Sequence, residues 1–287
     1  MVRHGLQDRT VSRSPLLWLN LVCLDAPLVA ICWQWIFAHS FDLSVPMGHQ
    51  AALFLTAWII YLADRFGDSV SLVTGQPGSV RQQFCLQHKS IWIVSVICVA
   101  AIDLILVLRA VNHETAVPGA VLGTFTIGYL AINHARSEIW ETIPVKEFAI
   151  GSLFAAGTLL GVTPHVFAEG STMIFAAILF ASLCSLNCVS IAIWERDLDR
   201  IQGKHSIATR WANANSLPRL LLLLLLAGSV LLALFDPGAW PVALCLGASG
   251  LLLGALRFVP VSRDERTAFA DVVLFTPLAL FVAEKIL

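Results

Sequence analysis

IWERDLDRIQG, residues 193–203, is the point where an uncharged stretch of the chain becomes a charged one. Residues 174–194 carry no formal charge, whereas residues 195–200 carry five charged side chains in six positions. An uncharged apolar helix suits hydrocarbon, while clustered charges next to hydrocarbon are costly and mark functional sites. The stretch therefore predicts the end of a membrane-spanning helix, with a candidate site in the charged block behind it.

The composition indicates a membrane protein. Of the 287 residues, 57% are hydrophobic and only 13% are charged, and the mean hydropathy is +0.79. Soluble domains carry roughly 25% charged residues, so an ordinary soluble domain is excluded. The net charge of -1 gives no basis for nucleic acid as a partner. Membrane lipids are the expected surroundings, and nothing in the composition indicates an oligomeric state.

Apolar stretches long enough to cross a bilayer recur along the chain. A crossing helix needs about 20 mainly apolar residues. We predict nine spans, at residues 16–38, 48–66, 90–109, 116–134, 144–164, 172–194, 218–235, 239–258 and 268–286. The first is too long for a signal peptide and lacks a small-residue cleavage site, so we expect it to be retained. The expected fold is an all-α, multi-pass membrane helical bundle.

The basic residues orient this bundle. If the N-terminus is inside, 16 of the 18 Lys and Arg residues fall in inside segments, and only Arg109 and Lys285 fall outside. Such a bias is typical of cytoplasmic loops. We therefore expect a cell-membrane protein with a cytoplasmic N-terminus. The inside residues are Arg3, Arg9, Arg13, Arg65, Arg81, Lys89, Arg136, Lys146, Arg196, Arg200, Lys204, Arg210, Arg219, Arg257, Arg263 and Arg266.

Two pairs of acids lie at matching places in the chain. Asp64 and Asp68 close the second predicted span, and Glu195 and Asp199 close the sixth. Residues four apart share one face of a helix, about 5–6 Å apart. Both pairs end even-numbered spans, so both are expected at the cytoplasmic side. The repetition suggests one domain, 1–287, with similar halves at roughly 16–134 and 144–287 and a site between them.

The negative charge of two carboxylate pairs beside hydrocarbon has to be balanced by nearby cations. Mg²⁺ prefers oxygen ligands and often bridges carboxylates to substrate phosphates. Basic side chains in the same stretches (Arg65, Arg196, Arg200, Lys204) suit phosphate oxygens. The pattern therefore favours a metal and diphosphate site at a membrane mouth. The alternative is that charged helix ends only mark the water boundary.

This pattern resembles the UbiA superfamily of intramembrane prenyltransferases, which carries acidic motifs after its second and sixth helices. The matching residues are Asp64 and Asp68 in the first motif, Glu195, Asp197, Asp199, Gly203 and Ser206 in the second, and Lys146 at the start of the fifth span. The chain departs from the family pattern at Ile60 and Tyr61, where Asn and Asp are usual, at Glu147, where a basic residue is common, and at Ile207, a usual Thr position. Glu195 replaces the first Asp of the second motif.

The resemblance implies a UbiA-like bundle around a central cavity, and an enzyme that moves an isoprenyl group from a prenyl diphosphate to an aromatic or other lipophilic acceptor. It implies that Mg²⁺ bridges Asp64, Asp68, Glu195 and Asp199, the catalytic and metal-binding set, to the donor diphosphate. The residues implied to bind substrate are Arg65, Lys146, Arg196, Asp197, Arg200 and Lys204. Two alternatives stay open: a relative that binds prenyl diphosphate without transferring it, and a membrane carrier.

Other polar residues give weaker signals. Asp25, Asp103 and Asp271 lie within predicted spans, where an acid is a functional hypothesis by default; a structural role is favoured for Asp103. Three basic residues behind the first motif (Arg81, His88, Lys89) either cap the diphosphate or only flank the span. The eight histidines form no metal-binding motif. The seven cysteines are scattered and predict no disulfide framework.

Overall fold

A computed structural model describes residues 15–73, 75–162 and 170–286. Within these ranges the chain forms helices and turns and contains no strand. The α-helices are α1 (Pro15–Leu21), α2 (Asp25–Ser40), α3 (Met47–Val70), α4 (Val80–Gln87), α5 (Lys89–Ala110), α6 (His113–Ala135), α7 (Ile139–Thr142), α8 (Lys146–Leu159), α9 (Ser171–Gln202), α10 (Ile207–Arg210), α11 (Leu217–Phe235), α12 (Trp240–Ala255), α13 (Arg263–Val272) and α14 (Thr276–Ile286). The predicted charges at Arg3, Arg9 and Arg13, and residues 163 and 164 at the end of the fifth predicted span, lie outside the described residues.

Helix is present at every one of the nine predicted stretches. In the described ranges, six helical segments are long and apolar enough to cross a membrane: Lys89–Ala110, His113–Ala135, Ser171–Gln202, Ala214–Phe235, Pro237–Phe258 and Arg263–Ile286. Among the remaining stretches, α2 has 16 residues and α8 has 14, while α3 has polar residues near both ends. The expectation of an all-helical chain with several candidate membrane spans is confirmed.

The first predicted span, 16–38, is not one helix. It is interrupted between Leu21 and Asp25, where Cys23 adopts a left-handed conformation with φ 58. Pro27 explains the break, because its ring would clash with the carbonyl four residues earlier in a continuous helix but fits the first turn of a new one. Asn20 spans the interruption by donating a hydrogen bond of 2.6 Å to Oδ2 of Asp25.

α9 is the central helix of the fold. Its 32 residues extend about 48 Å at 1.5 Å per residue, and it packs against α8, α11 and α12. A Cβ added at Gly151 on α8 would lie 2.6 Å from the backbone nitrogen of Ser185 on α9. The bare glycine therefore lets the two backbones approach closely. On the other side, Phe180 of α9 stacks on Trp33 of α2 with ring centroids 4.6 Å apart.

A chamber of about 380 Å³ opens beside this core. Its walls come from α2, α3, α5, α6 and α8, and they are mainly apolar. Because α3 alone contributes residues from His49 to Asp64, the chamber follows this helix for 15 residues, or about 22 Å. Most of the wall comes from the first predicted half of the chain, and the second half contributes α8.

Candidate functional site

Two acids of the first motif meet a histidine at the end of the chamber lined by Asp64, which we call its inner end; the opposite end is called its outer end. Asp64 and Asp68 lie one turn apart on α3, and His134 lies in the last turn of α6. Nε2 of His134 is 3.2 Å from Oδ1 of Asp64, and its Nδ1 is 4.0 Å from Oδ1 of Asp68. Asn133 also donates to Oδ1 of Asp64 at 3.4 Å. One ligand atom from each of Asp64, Asp68 and His134 lies within 4.8 Å of the others.

A glycine on α3 makes room for this histidine. Gly67 lies between the two acids, and a Cβ added there would be 2.6 Å from Cε1 of His134. No real Cβ tolerates so short a contact, so any larger residue would displace the ring. His134 is not predicted as a site residue from the sequence, because the spacing of the histidines along the chain shows no motif. Its position at the inner end of an even-numbered span was the available signal.

Lys204 connects the second motif to the first. α9 ends at Gln202, and Gly203 follows in a left-handed conformation with φ 68. This turn lets the backbone N–H of Lys204 donate to the carbonyl of Asp199 at 2.8 Å. The lysine Nζ then reaches Oδ2 of Asp68 at 2.9 Å. A glycine of the family-like motif thus places a cation beside the acids of the other motif.

Lys146 and Asp199 complete the charged cluster, which we define as Asp64, Asp68, His134, Lys146, Asp199 and Lys204. Lys146 is the first residue of α8 and attracts both Asp68 and Asp199. Lys204 attracts Asp199 as well as Asp68. The cluster therefore contains residues from both predicted motifs, although Asp64 and Asp199 are far apart in sequence.

Glu195 has a different partner from the one expected. Nη2 of Arg81 contacts both of its carboxylate oxygens, at 2.8 and 2.7 Å, and Thr267 donates to Oε1 at 3.4 Å. Arg81 is in α4, which lies between the first motif and α5. This carboxylate is therefore bound by a protein cation, and its predicted role in holding metal stays a prediction.

The loops behind the two motifs also touch. Nε2 of Gln202 donates to the carbonyl of Pro77 at 2.9 Å and to Oε1 of Gln82 at 3.1 Å. Nε2 of Gln76 donates to the carbonyl of Ile201 at 3.4 Å. These bonds join the segment after α3 to the end of α9. The structure thus brings the two acidic stretches to one end of the molecule.

Besides Glu195, four predicted site residues lie outside the charged cluster. Asp197 and Arg200 are exposed and pair only loosely with each other, at 3.9 Å. Arg196 donates to Asn215 at 3.0 Å. The positive charge of Arg65 acts on the thiols of Cys23 and Cys85. Helical geometry contributes to this, because neighbouring residues on a helix point about 100° apart, so Arg65, Arg196 and Arg200 point away from the acids that directly precede them.

Electrostatics at the cluster favours a charged Asp68. Burial alone would raise the pKa of this carboxyl group, but the positive charges of Lys204 and Lys146 and the hydrogen bond from Lys204 lower it to about 2. Arg81 shows the same balance with the opposite charge. Burial would lower its pKa, but Glu195 and Asp68 outweigh burial and raise it. Both groups are therefore ionised at neutral pH.

The charged cluster and the chamber share Asp64, which lines the inner end of the chamber. Ile60 and Tyr61, the two departures in the first motif, line the same wall one turn away. The other two departures contact each other: Oε1 of Glu147 accepts a hydrogen bond of 3.1 Å from the backbone N–H of Ile207. These two substituted positions therefore tie α8 to the segment after α9.

A second acidic pair lies deeper in the bundle. Asn20 donates to Asp25 at 2.6 Å and to Asp271 at 3.3 Å, and Asn187 donates to Asp271 at 3.0 Å. Tyr61 lines both the chamber and the small cavity beside Asp271. Asp103 is separate and accepts a hydrogen bond of 2.7 Å from Thr56. These contacts give each intramembrane acid a neutral donor.

Comparison with known proteins gave no match: no family model fits the chain, and no curated protein or solved structure is significantly similar to it. The class of protein is therefore defined by the fold and the cluster alone. The chain is an all-helical protein with six candidate membrane spans in its described parts. A charged cluster lies at one end of its apolar chamber.

Proposed function

We propose that this chain is an integral-membrane prenyltransferase with a UbiA-like fold of nine spans in two similar halves. It would move an isoprenyl group from a prenyl diphosphate to an aromatic or other lipophilic acceptor, with the charged cluster at the cytoplasmic side of the cell membrane. One observation carries the proposal: Asp64 belongs both to the charged cluster and to the wall of an apolar chamber. This arrangement suits a substrate with a charged head and a hydrocarbon tail.

The residues of the cluster fit a divalent cation in part. Asp64, Asp68 and His134 offer two oxygens and one nitrogen within 4.8 Å of one another, while Glu195 is bound to Arg81. Carboxylates suit Mg²⁺, and imidazole suits transition metals better. Bound Mg²⁺ would supply charge stabilisation for the leaving diphosphate.

The chain's own residues account for the rest of the proposed reaction. Lys204 and Lys146 would attract the diphosphate and stabilise the negative charge that develops as it leaves. The mainly apolar wall of the chamber would hold the hydrocarbon and exclude water from the allylic cation. The carbon or heteroatom of the acceptor would then form the new bond and lose its proton.

The test is release of diphosphate by purified protein supplied with geranyl, farnesyl and longer donors and pooled aromatic acceptors, with and without Mg²⁺. We expect Mg²⁺-dependent release together with a prenylated product. Asp64→Ala and Asp199→Ala should each lose most of this activity. Glu138→Ala is the matched control, because Glu138 is an exposed acid outside both motifs and outside the cluster. Unchanged turnover in both cluster variants would show that the reaction site is elsewhere.

A specific observation supports one alternative function, which is binding of prenyl diphosphate without transfer of the prenyl group. Asp68 contacts Lys204, and Glu195 contacts Arg81, so protein cations already neutralise two of the four predicted metal ligands. A protein that binds prenyl diphosphate without transferring it would need no more than this. Saturable binding of farnesyl diphosphate, with or without Mg²⁺, and no product from any acceptor would favour that rival. A carrier is less well supported, because its paired acids would be expected at mid-membrane or on both faces, whereas the two motif pairs lie at one end of the molecule.

A further inference from the structure

The outer end of the chamber carries four buried polar side chains with unpartnered atoms. Gln34, His49, Thr115 and Thr158 are 2%, 7%, 8% and 1% exposed. The atoms without a hydrogen-bond partner are Oε1 of Gln34, Nδ1 of His49, Oγ1 of Thr115 and Oγ1 of Thr158. All four residues line the chamber. A buried polar atom without a partner is costly, so four on one cavity indicate a polar occupant.

The four residues form two pairs, one from α2 and α8 and the other from α3 and α6. In the first pair, Nε2 of Gln34 donates to the backbone carbonyl of Thr158 at 3.1 Å. In the second, Nε2 of His49 accepts from the backbone N–H of Asn112 at 3.3 Å, and Asn112 caps α6 by accepting from the N–H of Thr115 at 3.0 Å. Each pair is held by backbone bonds, which leave the other polar atoms free to face the chamber.

This end is far from the charged cluster. His49 precedes Asp64 by 15 residues on α3, which corresponds to about 22 Å. Among the described residues that line the chamber, Asp64 is the only carboxylate and no Lys or Arg is present. The chamber is therefore ionic at its inner end and neutral, apart from His49, at its outer end. A ligand with a charged head would suit the ionic inner end of the chamber, but it would not explain the neutral polar side chains at the outer end.

The hydrogen bonds define what the outer end offers. A carbonyl can only accept, so Gln34 must present Nε2 to Thr158 and its Oε1 to the chamber as an acceptor. The Asn112 N–H can only donate, so Nε2 of His49 is the unprotonated nitrogen and Nδ1–H is a donor. The Thr115 and Thr158 hydroxyls can each donate or accept. The site thus offers one fixed acceptor, one fixed donor and two adaptable groups.

We propose that the outer end of the chamber, defined by Gln34, His49, Thr115 and Thr158, binds the neutral hydroxyl-bearing head of a lipophilic molecule, with phenols as the best-fitting class. A hydroxyl donates to Gln34 Oε1 and accepts from His49 Nδ1–H, and the threonines complete its contacts. A carboxylate finds no cationic lysine or arginine there. The inference goes beyond the proposed function, because it concerns the chamber alone and requires no transfer at the charged cluster.

The first experiment uses the unaltered full chain in lipid nanodiscs, without prenyl diphosphate or Mg²⁺. Binding of radiolabelled dodecylphenol is measured against empty nanodiscs, with dodecylbenzene and dodecylbenzoate as competitors. Two or three hydrogen bonds, each worth about fivefold in affinity, should make the phenol bind roughly 30-fold or more tightly than the arene. Dodecylbenzoate should also compete more weakly than the phenol. Equal affinity for the phenol and the arene would overturn the proposal and leave water as the occupant.

The second experiment tests the residues. Thr115→Val and Thr158→Val each remove a hydroxyl at nearly constant volume, and each should reduce the preference for phenol about three- to tenfold without weakening dodecylbenzene binding. Thr126→Val is the matched control, because its hydroxyl lines the same chamber but donates to the Leu122 carbonyl at 3.0 Å. An equal effect of Thr126→Val, or an equal loss of arene binding, would contradict the proposal. If the variants do not fold, the ligand series in unaltered protein decides.

Discussion

The contact between His134 and the two aspartates depends on the absence of a single carbon atom. Gly67 has no side chain, and the imidazole ring occupies the space where a Cβ would be. His134 supplies the imidazole of the Asp64, Asp68 and His134 group found in the described residues. The position of its ring follows from the packing of α6 against α3. The contact of His134 with the two acids therefore depends on a glycine in α3 that allows α6 to approach closely.

Gly67→Ala tests this dependence. The new methyl group should push His134 away from Asp64 and Asp68 and weaken divalent-cation binding. We expect the rise in melting temperature on adding Mn²⁺ or Mg²⁺ to shrink or disappear. Gly128→Ala on α6 is the control, because a Cβ there meets nothing within 4 Å and alanine favours helix by about 1 kcal/mol. Cation-induced stabilisation that survives Gly67→Ala would show that His134 is not a ligand.

Ile60→Asn tests the departure in the first motif. Ile60 and Asp64 are four residues apart and line the same wall of the chamber, so an amide at position 60 points toward the cluster. We expect higher Mg²⁺ affinity or faster diphosphate release, with unchanged helical content by circular dichroism. Ile59→Asn is the control, since residue 59 is not on the chamber wall. A lower Mg²⁺ affinity in the Ile60 variant would contradict a metal-binding role for this wall.

At the scale of helices, the end of α9 decides where Lys204 lies. Gly203 adopts φ 68, a conformation that costs other L-residues roughly 1–2 kcal/mol. Gly203→Ala should therefore lower the free energy of unfolding by about 1 kcal/mol and weaken prenyl diphosphate binding by moving Lys204 from Asp68. Asn tolerates this conformation better, so Gly203→Asn should reduce both the free energy of unfolding and the affinity for prenyl diphosphate by less than Gly203→Ala does. Equal losses in the two variants would argue against a conformational cause.

The Arg81–Glu195 pair joins α4 to α9, and its two side chains are only 22% and 11% exposed. Arg81→Met should lower the free energy of unfolding by about 3–5 kcal/mol, because it leaves a buried carboxylate without its cation. The double variant Arg81→Met, Glu195→Gln should recover much of that loss. Denaturant unfolding of both single variants and the double variant gives the coupling energy. Additive losses would show that the pair contributes no coupling.

Some elements were predictable from the sequence and others were not, for physical reasons. Hydrophobic length predicted helix at all nine stretches, and spacing placed Asp64 with Asp68 on one face. The interruption at Cys23 was missed, although Pro27 was a local signal for it. Pairing of Glu195 with Arg81, and of His134 with Asp64, depends on which helices become neighbours. Sequence spacing within one helix cannot specify contacts between helices.

At the scale of the whole molecule, the orientation of the chain is open to direct measurement. Single cysteines at Ser71 and Ala212 should react with a membrane-impermeant maleimide only from the cytoplasmic side, and a cysteine at Ser44 only from the opposite side. All three positions are exposed. The native thiols are unpaired, so exposed Cys98 is replaced by Ser in every variant. Labelling of positions 71 and 212 from opposite sides would contradict a shared site.

The length of α9 determines how a ligand would arrive. At about 48 Å it exceeds the hydrocarbon core of a bilayer, which is about 30 Å thick. In the proposed orientation, with Ser171 at the outer edge of the hydrocarbon, Glu195 lies 24 residues along α9, or about 36 Å, and would therefore be at the depth of the lipid headgroups. An amphipathic substrate already dissolved in the bilayer would reach this depth by diffusing in two dimensions, without entering bulk water. The concentration that governs occupancy is then its mole fraction in lipid, so adding inert phospholipid at constant substrate should slow the reaction.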